Sequence, residues 1–231
     1  IGINGFGRIG RMVLRSIIEN NRKDIEVVAI NNRAKSEVSN FLLKHDSVHG
    51  KFKAKLNYSD HSLDINGKKI AMTHETEISK IDWKKHKVDI VLECTGKFNT
   101  KEKSAQHLKS GVKKVIVSAP CKGAINIVFG VNHNILKKSD QVISAASCTT
   151  NCLAPVANVI NDEFGIERGF MTTIHSYTTD QRLLDNSHKD LRRARSAPNS
   201  IIPTTTGATK SLGDVIPVSY THLTLPTNRE V

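Results

Sequence analysis

The sequence predicts an α/β protein with a parallel β-sheet covered by helices on both faces, and three observations lead to this prediction. Short apolar runs alternate with helical segments from the start of the chain to about residue 147. The run IEVVAIN at residues 25–31 is almost continuously apolar, which is typical of a parallel strand buried on both faces. The turn GFGRIG at residues 5–10 joins the first strand directly to the first helix.

The elements are predicted in chain order from their local patterns. After a strand at residues 1–4, residues 8–21 form a helix whose apolar face carries Ile9, Met12, Val13 and Ile17. Residues 52–73 contain Asn66-Gly67, a turn signal that predicts an inserted hairpin. Residues 100–110 have helical composition and end before Gly111. Apolar runs predict further strands at residues 25–31, 88–92, 112–117, 125–131 and 141–145.

The pattern changes near residue 147, which predicts a domain boundary there. Residues 148–164 carry an apolar helical face, in which Pro155 removes one amide donor and predicts a kink or break. Residues 170–177 alternate as a strand does, whereas residues 179–203 are polar, rich in Arg and long enough to predict a functional loop. We therefore expect domains at residues 1–147 and 148–217.

Composition excludes several classes of protein. Hydrophobic residues make up 38% and charged residues 24% of the 231 residues, so the chain is not disordered by composition. There is no run of eighteen apolar residues and no secretory pattern at the start, so neither a membrane span nor export is expected. The four cysteines have neither disulfide-framework nor zinc-site spacing, so we expect a reducing cytoplasm and no metal.

The formal net charge of +12 is compatible with a nucleic-acid partner, with small anionic substrates or with a solvated basic surface. Lys and Arg are spread along the chain, and the few aromatic residues (5%) are not interleaved with them as a base-stacking surface requires. This pattern disfavours a nucleic-acid partner, and charge alone does not assign a function.

Two motifs indicate specific chemistry. Gly5, Gly7 and Gly10 let backbone amides approach a pyrophosphate at a helix N-terminus, although a tight turn without a ligand is the alternative. Cys148 stands at a second strand-to-helix junction among hydroxyl residues, where unpaired amides favour a thiolate that attacks a carbonyl carbon. Cys152 lies one turn further along and is expected to be an inert thiol packed in the core.

Candidates for a base and for anion binding follow along the chain. His175 can take a proton from Cys148, and the alternative is a buried histidine bonded to the backbone. The runs RRAR at residues 192–195 and TTTG at residues 204–207 offer guanidinium groups, hydroxyls and amides suited to phosphate. The alternative for these runs is a solvated basic loop.

Taken together, these segments resemble phosphorylating glyceraldehyde-3-phosphate dehydrogenases, whose motifs occur here in order as INGFGRIGR, HDSVHG, ECTGKF, AASCTTNCLAP, TTIHSYT, HKDLRRAR and PTTTGA. The resemblance implies a Rossmann-like dinucleotide-binding domain, the first part of an α+β catalytic domain, and a homotetramer. It also implies NAD or NADP, a small phosphorylated aldehyde and inorganic phosphate as reactants. It ends at about Pro217, so we interpret the chain as truncated, with a tail at residues 218–231 that does not resemble the family.

The resemblance implies roles for individual residues. Cys148 is the nucleophile that forms a thiohemiacetal and then a thioester, and His175 is the base that activates it. The implied phosphate-binding residues are Ser147, Thr149, Thr206 and Gly207 for the attacking phosphate, Thr178 for the phosphate of the substrate, and Arg195 in the loop beside both. The implied contacts to the dinucleotide, besides the three glycines, are made by Arg8, Ile9 and Ser118.

The residues after the second strand favour NADP. An acidic residue there usually binds the ribose of NAD, and here the position holds Asn32, followed by Arg33. The neutral amide does not repel a 2′-phosphate, Arg33 can pair with it, and Ser187 lies in a loop that reaches the adenosine of a neighbouring subunit in the family's tetramer. We expect the protein either to use both NAD and NADP or to prefer NADP. The alternative is that Arg33 points into water and NAD is preferred.

Two alternatives to this function stay open. A sister enzyme that oxidises erythrose 4-phosphate shares the Cys and His motifs, although PTTTG and HSYTTDQ favour the triose enzyme. A non-catalytic nucleotide- or RNA-binding fragment is the alternative from another class. Phosphate-dependent reduction of the cofactor distinguishes these classes.

Overall fold

The structure is a computed structural model that describes residues 1–169, 171–206 and 208–216. The predictions for Phe170, Gly207 and the tail from Val218 therefore lie outside the described residues. The chain divides into two compact units, one formed by Ile1–Ile127 with Asn134–Ala146 and the other by Val128–His133 with the chain from Ser147 onward. Within the described residues, no helix is both long enough and apolar enough to cross a membrane.

The first unit is an α/β unit in which most strands lie in one nine-stranded sheet. Its strands are β1 (Gly2–Asn4), β2 (Ala29–Asn31), β3 (His45–Asp46), β4 (Gly50–Lys51), β5 (Leu56–Ser59), β6 (Ser62–Ile65), β7 (Lys68–Thr73), β8 (Ile90–Glu93), β9 (Lys114–Val117), β10 (Ile125–Asn126) and β11 (Val142–Ser144). Its helices are α1 (Arg8–Glu19), α2 (Ser36–Lys44) and α3 (Lys101–Ser104). The large sheet has the order β10-β11-β9-β8-β1-β2-β7-β6-β5, while β3 and β4 pair separately.

Parallel pairing runs from β10 to β7, and only β6 and β5 are antiparallel to their neighbours. Successive residues of a strand point to opposite faces, so Ile30 packs in the cluster with Leu14 of α1, while Ala29 packs in a second cluster around Trp83. A Cβ added to Gly2 would lie 2.7 Å from the Trp83 ring, so this close contact requires a glycine. The predicted parallel sheet with a hydrophobic layer on each face is confirmed.

The hairpin at residues 52–73 forms around Asn66 and Gly67, which have φ values of 55° and 84° as a tight turn of this kind requires. It is not an insertion beside the sheet, because β7 also pairs in parallel with β2. Most predicted strands are shorter than expected, and the largest differences are at residues 25–31, which yield only β2, and residues 125–131, which yield only β10.

The buried face of α1 differs in part from the expected one. Ile9 is 48% exposed and Gly10 and Leu14 are buried, whereas Ile17 packs against the core as expected. The reason is close packing: a Cβ on Gly10 would lie 2.3 Å from the carbonyl oxygen of Gly5, so α1 turns its smallest residue toward the preceding turn.

The second unit contains α4 (Cys148–Phe164) and α5 (Ala208–Val215), which pack together. Of the kink or break predicted at Pro155, the break does not occur, because α4 continues through that residue and loses only one amide donor, while the kink stays a prediction. The strand expected at residues 170–177 is not formed over residues 171–177, since a strand needs a neighbouring strand and the described part of this unit supplies none. Residues 179–203 form a long loop with a single 3₁₀ turn at Leu191–Ala194.

Candidate active site

A cysteine and a histidine meet at the start of α4. Sγ of Cys148 lies 3.2 Å from Nε2 of His175, while Nδ1 of His175 lies 2.6 Å from the carbonyl oxygen of Ser176. A carbonyl oxygen only accepts hydrogen bonds, so Nδ1 carries the proton and Nε2 presents its lone pair to the thiol. This tautomer is the one that can accept the proton of the Cys148 thiol.

The surroundings of Cys148 favour its thiolate. Partial burial raises the pKa of the Cys148 thiol, but the hydrogen bond and charge of His175, together with the side chain and backbone amide of Thr149, more than offset this and bring it below its ordinary value. Cys148 is also the first residue of α4, where free backbone amides and the helix dipole favour an anion. The same amides can stabilise an oxyanion formed beside the sulfur.

Hydroxyl groups order this end of the helix. Oγ of Ser147 accepts a hydrogen bond of 2.9 Å from the amide of Thr150, which caps α4, and the two hydroxyl oxygens lie 2.6 Å apart. Oγ1 of Thr150 is in turn 3.1 Å from Oγ of Ser211 on α5. Thr206 precedes the start of α5 by two residues, so the Ser147 and Thr206 segments both lead into helices that pack together. Gly207, predicted beside Thr206, is outside the described residues.

The structure brings Arg193, and not Arg195, to the threonine run. Nε of Arg193 donates to Oγ1 of Thr204 over 3.0 Å, and Nη2 donates to the carbonyl of Thr205 over 2.9 Å. Arg195 is exposed and pairs with Asp185 at 3.3 Å. The sequence offered the whole RRAR run for anion binding and the resemblance singled out Arg195, because only the 3₁₀ turn at Leu191–Ala194 decides which arginine contacts the threonine run.

Two other predicted contact residues are Thr178, just before the long loop, and Ser187, inside it. The amide of Thr178 donates to Oε1 of Gln181 over 2.7 Å, which closes a turn just after His175. Ser187 is exposed, with its hydroxyl 3.4 Å from Oδ1 of Asn186. The hydrogen bonds described for Thr178 and Ser187 thus join only residues 178–187.

A cavity of about 240 Å³ lies in the first unit, at the carboxyl ends of β1, β2, β7 and β8. In parallel sheets this edge is where ligands bind. Of the predicted cofactor contacts, the cavity is lined by Gly5, Gly7, Asn32 and Arg33. An added Cβ would find no atom within 4 Å at Gly7 but would lie 2.7 Å from the amide of Thr95 at Gly5. The open space at Gly7 fits close approach of a phosphate group, so the residues present fit a dinucleotide.

The remaining predicted cofactor residues do not line this cavity. Gly10 serves the packing of α1 against the glycine turn, and Ile9 is exposed on the helix surface. The side chain of Arg8 pairs with the buried Asp46, and the amide of Ser118 donates to the carbonyl of Glu93 over 3.0 Å. Their predicted contacts to a dinucleotide remain predictions.

Asn32 is held in place on both sides of its amide. Oδ1 accepts a hydrogen bond of 3.4 Å from the amide of Phe6, and Nδ2 donates to Oγ of the buried Ser39 over 3.0 Å. Arg33 is exposed and has no acidic partner among the described residues. Glu75 also lines the cavity, and the sequence did not reveal it because it follows β7, which was not expected beside β2.

The other cysteines differ from Cys148. Cys152 is exposed rather than packed in the core, because α4 turns that position away from its buried side at Ala154 and Ala157. Burial raises the pKa of Cys94 to about 11 and also raises the pKa of Cys121. All four cysteines are free, and the described residues contain no group of His, Cys, Asp and Glu side chains that could hold a metal ion.

Comparison with known proteins gives two matching family models. The model described as the NAD binding domain of glyceraldehyde 3-phosphate dehydrogenase matches residues 1–101, and the model of its C-terminal domain matches residues 147–225. The second match extends past Val218, so it does not support a boundary of the tail at that residue.

Several curated relatives are also similar to the chain. The glyceraldehyde-3-phosphate dehydrogenase of Cereibacter sphaeroides is 56% identical over 218 residues, and that of Geobacillus stearothermophilus is 53% identical over 219 residues. Each of these alignments covers 94% of this chain and 65% of the relative. The Thermotoga maritima enzyme is 53% identical over 213 residues, with 92% of this chain and 64% of the relative covered. The chain thus spans slightly less than two thirds of the length of these relatives.

Proposed function

Because the chain belongs to the glyceraldehyde-3-phosphate dehydrogenase family, we propose that it oxidises glyceraldehyde 3-phosphate to 1,3-bisphosphoglycerate with reduction of NAD or NADP. The observation that carries this proposal is the contact of 3.2 Å between Sγ of Cys148 and Nε2 of His175 at the start of α4. Domains at residues 1–147 and 148–217 are proposed to bind the dinucleotide and the aldehyde, respectively.

The first half of the reaction uses Cys148 and His175. Nε2 of His175 takes the thiol proton, and the thiolate forms a C–S bond to the aldehyde carbon while the carbonyl electrons move to oxygen. Backbone amides at the start of α4 stabilise that oxygen. The bound nicotinamide supplies the acceptor for the hydride. His175 returns its proton to the former carbonyl oxygen, which completes the thiohemiacetal, and takes the proton back as the hydride leaves, so that a thioester remains on Cys148.

The second half of the reaction requires an anion site beside the thioester. Inorganic phosphate attacks the thioester carbon, the C–S bond breaks, and the thiolate of Cys148 leaves, which releases an acyl phosphate. We assign this phosphate to Ser147, Thr149, Thr206 and Gly207. Arg193 supports the assignment because its guanidinium group bonds the neighbouring Thr204 and Thr205.

Thr178 is assigned to the phosphate of the substrate, with Arg195 in the surrounding loop.

The cofactor proposed is NADP, or both NADP and NAD. Asn32 brings no negative charge to the cavity, and the Arg33 guanidinium group lines the cavity without an acidic partner among the described residues. Ser187 is proposed to donate to the 2′-phosphate across a subunit contact. Glu75 opposes the preference for NADP, because it lines the same cavity and its carboxylate would repel a 2′-phosphate.

The proposed setting follows from the same family. The protein is proposed to act as a homotetramer in the cytoplasm, without a membrane or nucleic-acid partner. Four free thiols, three of them outside the proposed reaction, agree with a reducing compartment.

The experiment that tests this function follows the appearance of reduced nicotinamide with glyceraldehyde 3-phosphate as substrate. The proposal predicts turnover with inorganic phosphate and little without it, because the thioester is otherwise released only by water. Erythrose 4-phosphate serves as the comparison substrate. Faster turnover of erythrose 4-phosphate, or turnover that does not respond to phosphate, would contradict the proposal.

A further inference from the structure

A chain of buried polar side chains lies behind the cavity of the first unit. Nε1 of Trp83 is 2.9 Å from Nδ1 of His107, and Nε2 of His107 is 3.0 Å from Oε2 of Glu93. All three residues are at most 1% exposed. None of them lines the cavity, and none takes part in the reaction proposed above.

The partners determine where the protons lie. An indole N–H only donates, so Nδ1 of His107 accepts from Trp83, and the proton of the neutral ring is on Nε2. His107 therefore donates to Oε2 of Glu93. The same oxygen accepts a hydrogen bond of 2.6 Å from Nδ2 of Asn4, and Oε1 accepts from both the amide (2.8 Å) and the hydroxyl of Thr95. Four donors converge on one side chain, so Glu93 is a carboxylate.

From Glu93 the hydrogen bonds continue across the sheet. Oδ1 of Asn4 accepts from Nδ2 of Asn31 over 2.8 Å. Oδ1 of Asn31 then accepts from the hydroxyl of Thr73 over 2.8 Å and from the amide of Glu75 over 2.9 Å. These residues lie at or just after the carboxyl ends of β8, β1, β2 and β7, which are the four strands whose ends form the cavity.

We propose that Glu93 is a positioning residue for dinucleotide binding, and that its negative charge holds these four strand ends in the geometry that admits the cofactor. Both side-chain oxygens of Glu93 must accept hydrogen bonds, because all four groups that bond to them are donors. Three residues that line the cavity are connected to Glu93 by hydrogen bonds. Asn4 and Thr95 donate to Glu93 directly, and Asn31 is connected to it through Asn4. The inference rests on the proposed function, since it assumes that the cavity holds a dinucleotide.

The test variant is Glu93→Gln, which keeps the size of the side chain and removes its charge. A glutamine turns an NH₂ group toward either Thr95 or the Asn4 and His107 pair, so donors face donors in both orientations. We expect the Kd of NADPH or NADH, measured by calorimetry and by the fluorescence of the reduced cofactor, to rise by about tenfold or more.

The control variant is Trp83→Phe, which removes the outer hydrogen bond to His107 but leaves the carboxylate and its four donors. We expect it to lower the melting temperature while Kd stays within about twofold of the wild-type value. Unchanged binding in Glu93→Gln would overturn the inference. The same conclusion would follow if both variants raised Kd in proportion to their loss of melting temperature.

A second variant covers the case in which Glu93→Gln does not fold. His107→Leu withdraws one donor from Glu93 at a residue that does not line the cavity, so Kd should rise by about threefold or more. A Kd equal to that of the wild type would refute the positioning role. If the wild-type protein binds neither dinucleotide, the proposed function itself fails, which is a different result from equal binding by wild type and variants.

Discussion

At the scale of single residues, Cys148 and Cys152 show how much one helical turn matters. Both belong to α4 and both are exposed, but Cys148 lies 3.2 Å from Nε2 of His175, and the pKa of Cys148 is lowered. Cys94 and Cys121 are more buried, and burial raises their thiol pKa values. The Cys148 thiol is therefore expected to ionise at lower pH than the thiols of Cys94 and Cys121.

The first prediction compares the two cysteines of α4. Cys148→Ser should lower the initial rate of NAD(P)H formation by about 10³-fold or more, because a hydroxyl in that place is a far weaker nucleophile. Cys152→Ser should stay within about threefold of the wild-type rate, since its side chain is exposed and makes no contact with His175 among the described hydrogen bonds. Equal losses in the two variants would be incompatible with the assignment.

The second prediction concerns cofactor preference at Asn32. Asn32→Asp fits the site because the amide of Phe6 and the hydroxyl of Ser39 can both donate to a carboxylate. The new charge should lower kcat/KM for NADP relative to NAD by about tenfold to a hundredfold. Asn57→Asp, which adds the same charge on the exposed strand β5, is the matched control. If the ratio strongly favours NAD before the substitution and does not change after it, the reading of this position is wrong.

The sequence predicted the two central residues of the site better than the residues around them. Cys148 and His175 stand in motifs, and the structure brings them together as expected. Arg193 was predicted only as one member of the RRAR run and was not singled out, because adjacent arginines in one loop look alike until the 3₁₀ turn sets their directions. The exposure of Cys152 was also missed, because it depends on which neighbours cover that side of α4.

At the scale of elements, the loop of residues 179–203 is held by charged groups. Arg193 bonds Thr204 and Thr205 and forms an ion pair with Asp180, while Thr204 donates to Asp190 over 2.9 Å. The guanidinium group thus ties both ends of the loop to the threonine run. A long polar loop fixed in this way can present hydroxyls to an anion.

The third prediction separates the two arginines of this loop. Arg193→Gln should raise the KM for inorganic phosphate by about tenfold or more, because the variant loses a charge and its bonds at the threonine run. Arg195→Gln breaks only the exposed pair with Asp185, so its KM should stay within about twofold of wild type. The measurement is the initial rate as a function of phosphate concentration. A larger effect of Arg195→Gln would reverse the assignment.

Elements with local signals were predicted well, and elements that depend on distant partners were not. The hairpin turn at Asn66-Gly67 needs two residues with positive φ, and the sequence supplies them. The residues 171–177 alternate as a strand does, but pairing depends on a neighbour that the described part of the second unit does not provide. The link between Trp83, His107 and Glu93 was invisible in the sequence for the same reason, since it joins two segments outside the sheet to the end of β8.

At the scale of the whole molecule, the fold class was predictable because the parallel strands and the glycine turn are encoded locally. The outer surface was less predictable. Four apolar side chains of α4 are substantially exposed, namely Val156, Val159, Ile160 and Phe164. An apolar stripe of this kind favours association with another surface.

The fourth prediction follows from this stripe. The chain should associate as its concentration rises, and Val159→Lys with Phe164→Lys should reduce the association by placing charges on the stripe. Sedimentation velocity over a range of concentrations measures both proteins. A chain that sediments as a single monomer at every concentration, before any substitution, would contradict this expectation.

The central claim is that His175 makes Cys148 a reactive thiolate, and the most direct test is the rate of alkylation by iodoacetamide as a function of pH. The pKa of Cys148 is lowered, so its thiolate persists at pH values where an ordinary thiol, with a pKa of about 8.5, is already protonated. Peptide mapping reports Cys148 and Cys152 separately in the same sample. We predict a midpoint for Cys148 below the ordinary value, and a shift to higher pH in His175→Asn. The same midpoint for Cys148 in both proteins would contradict the account.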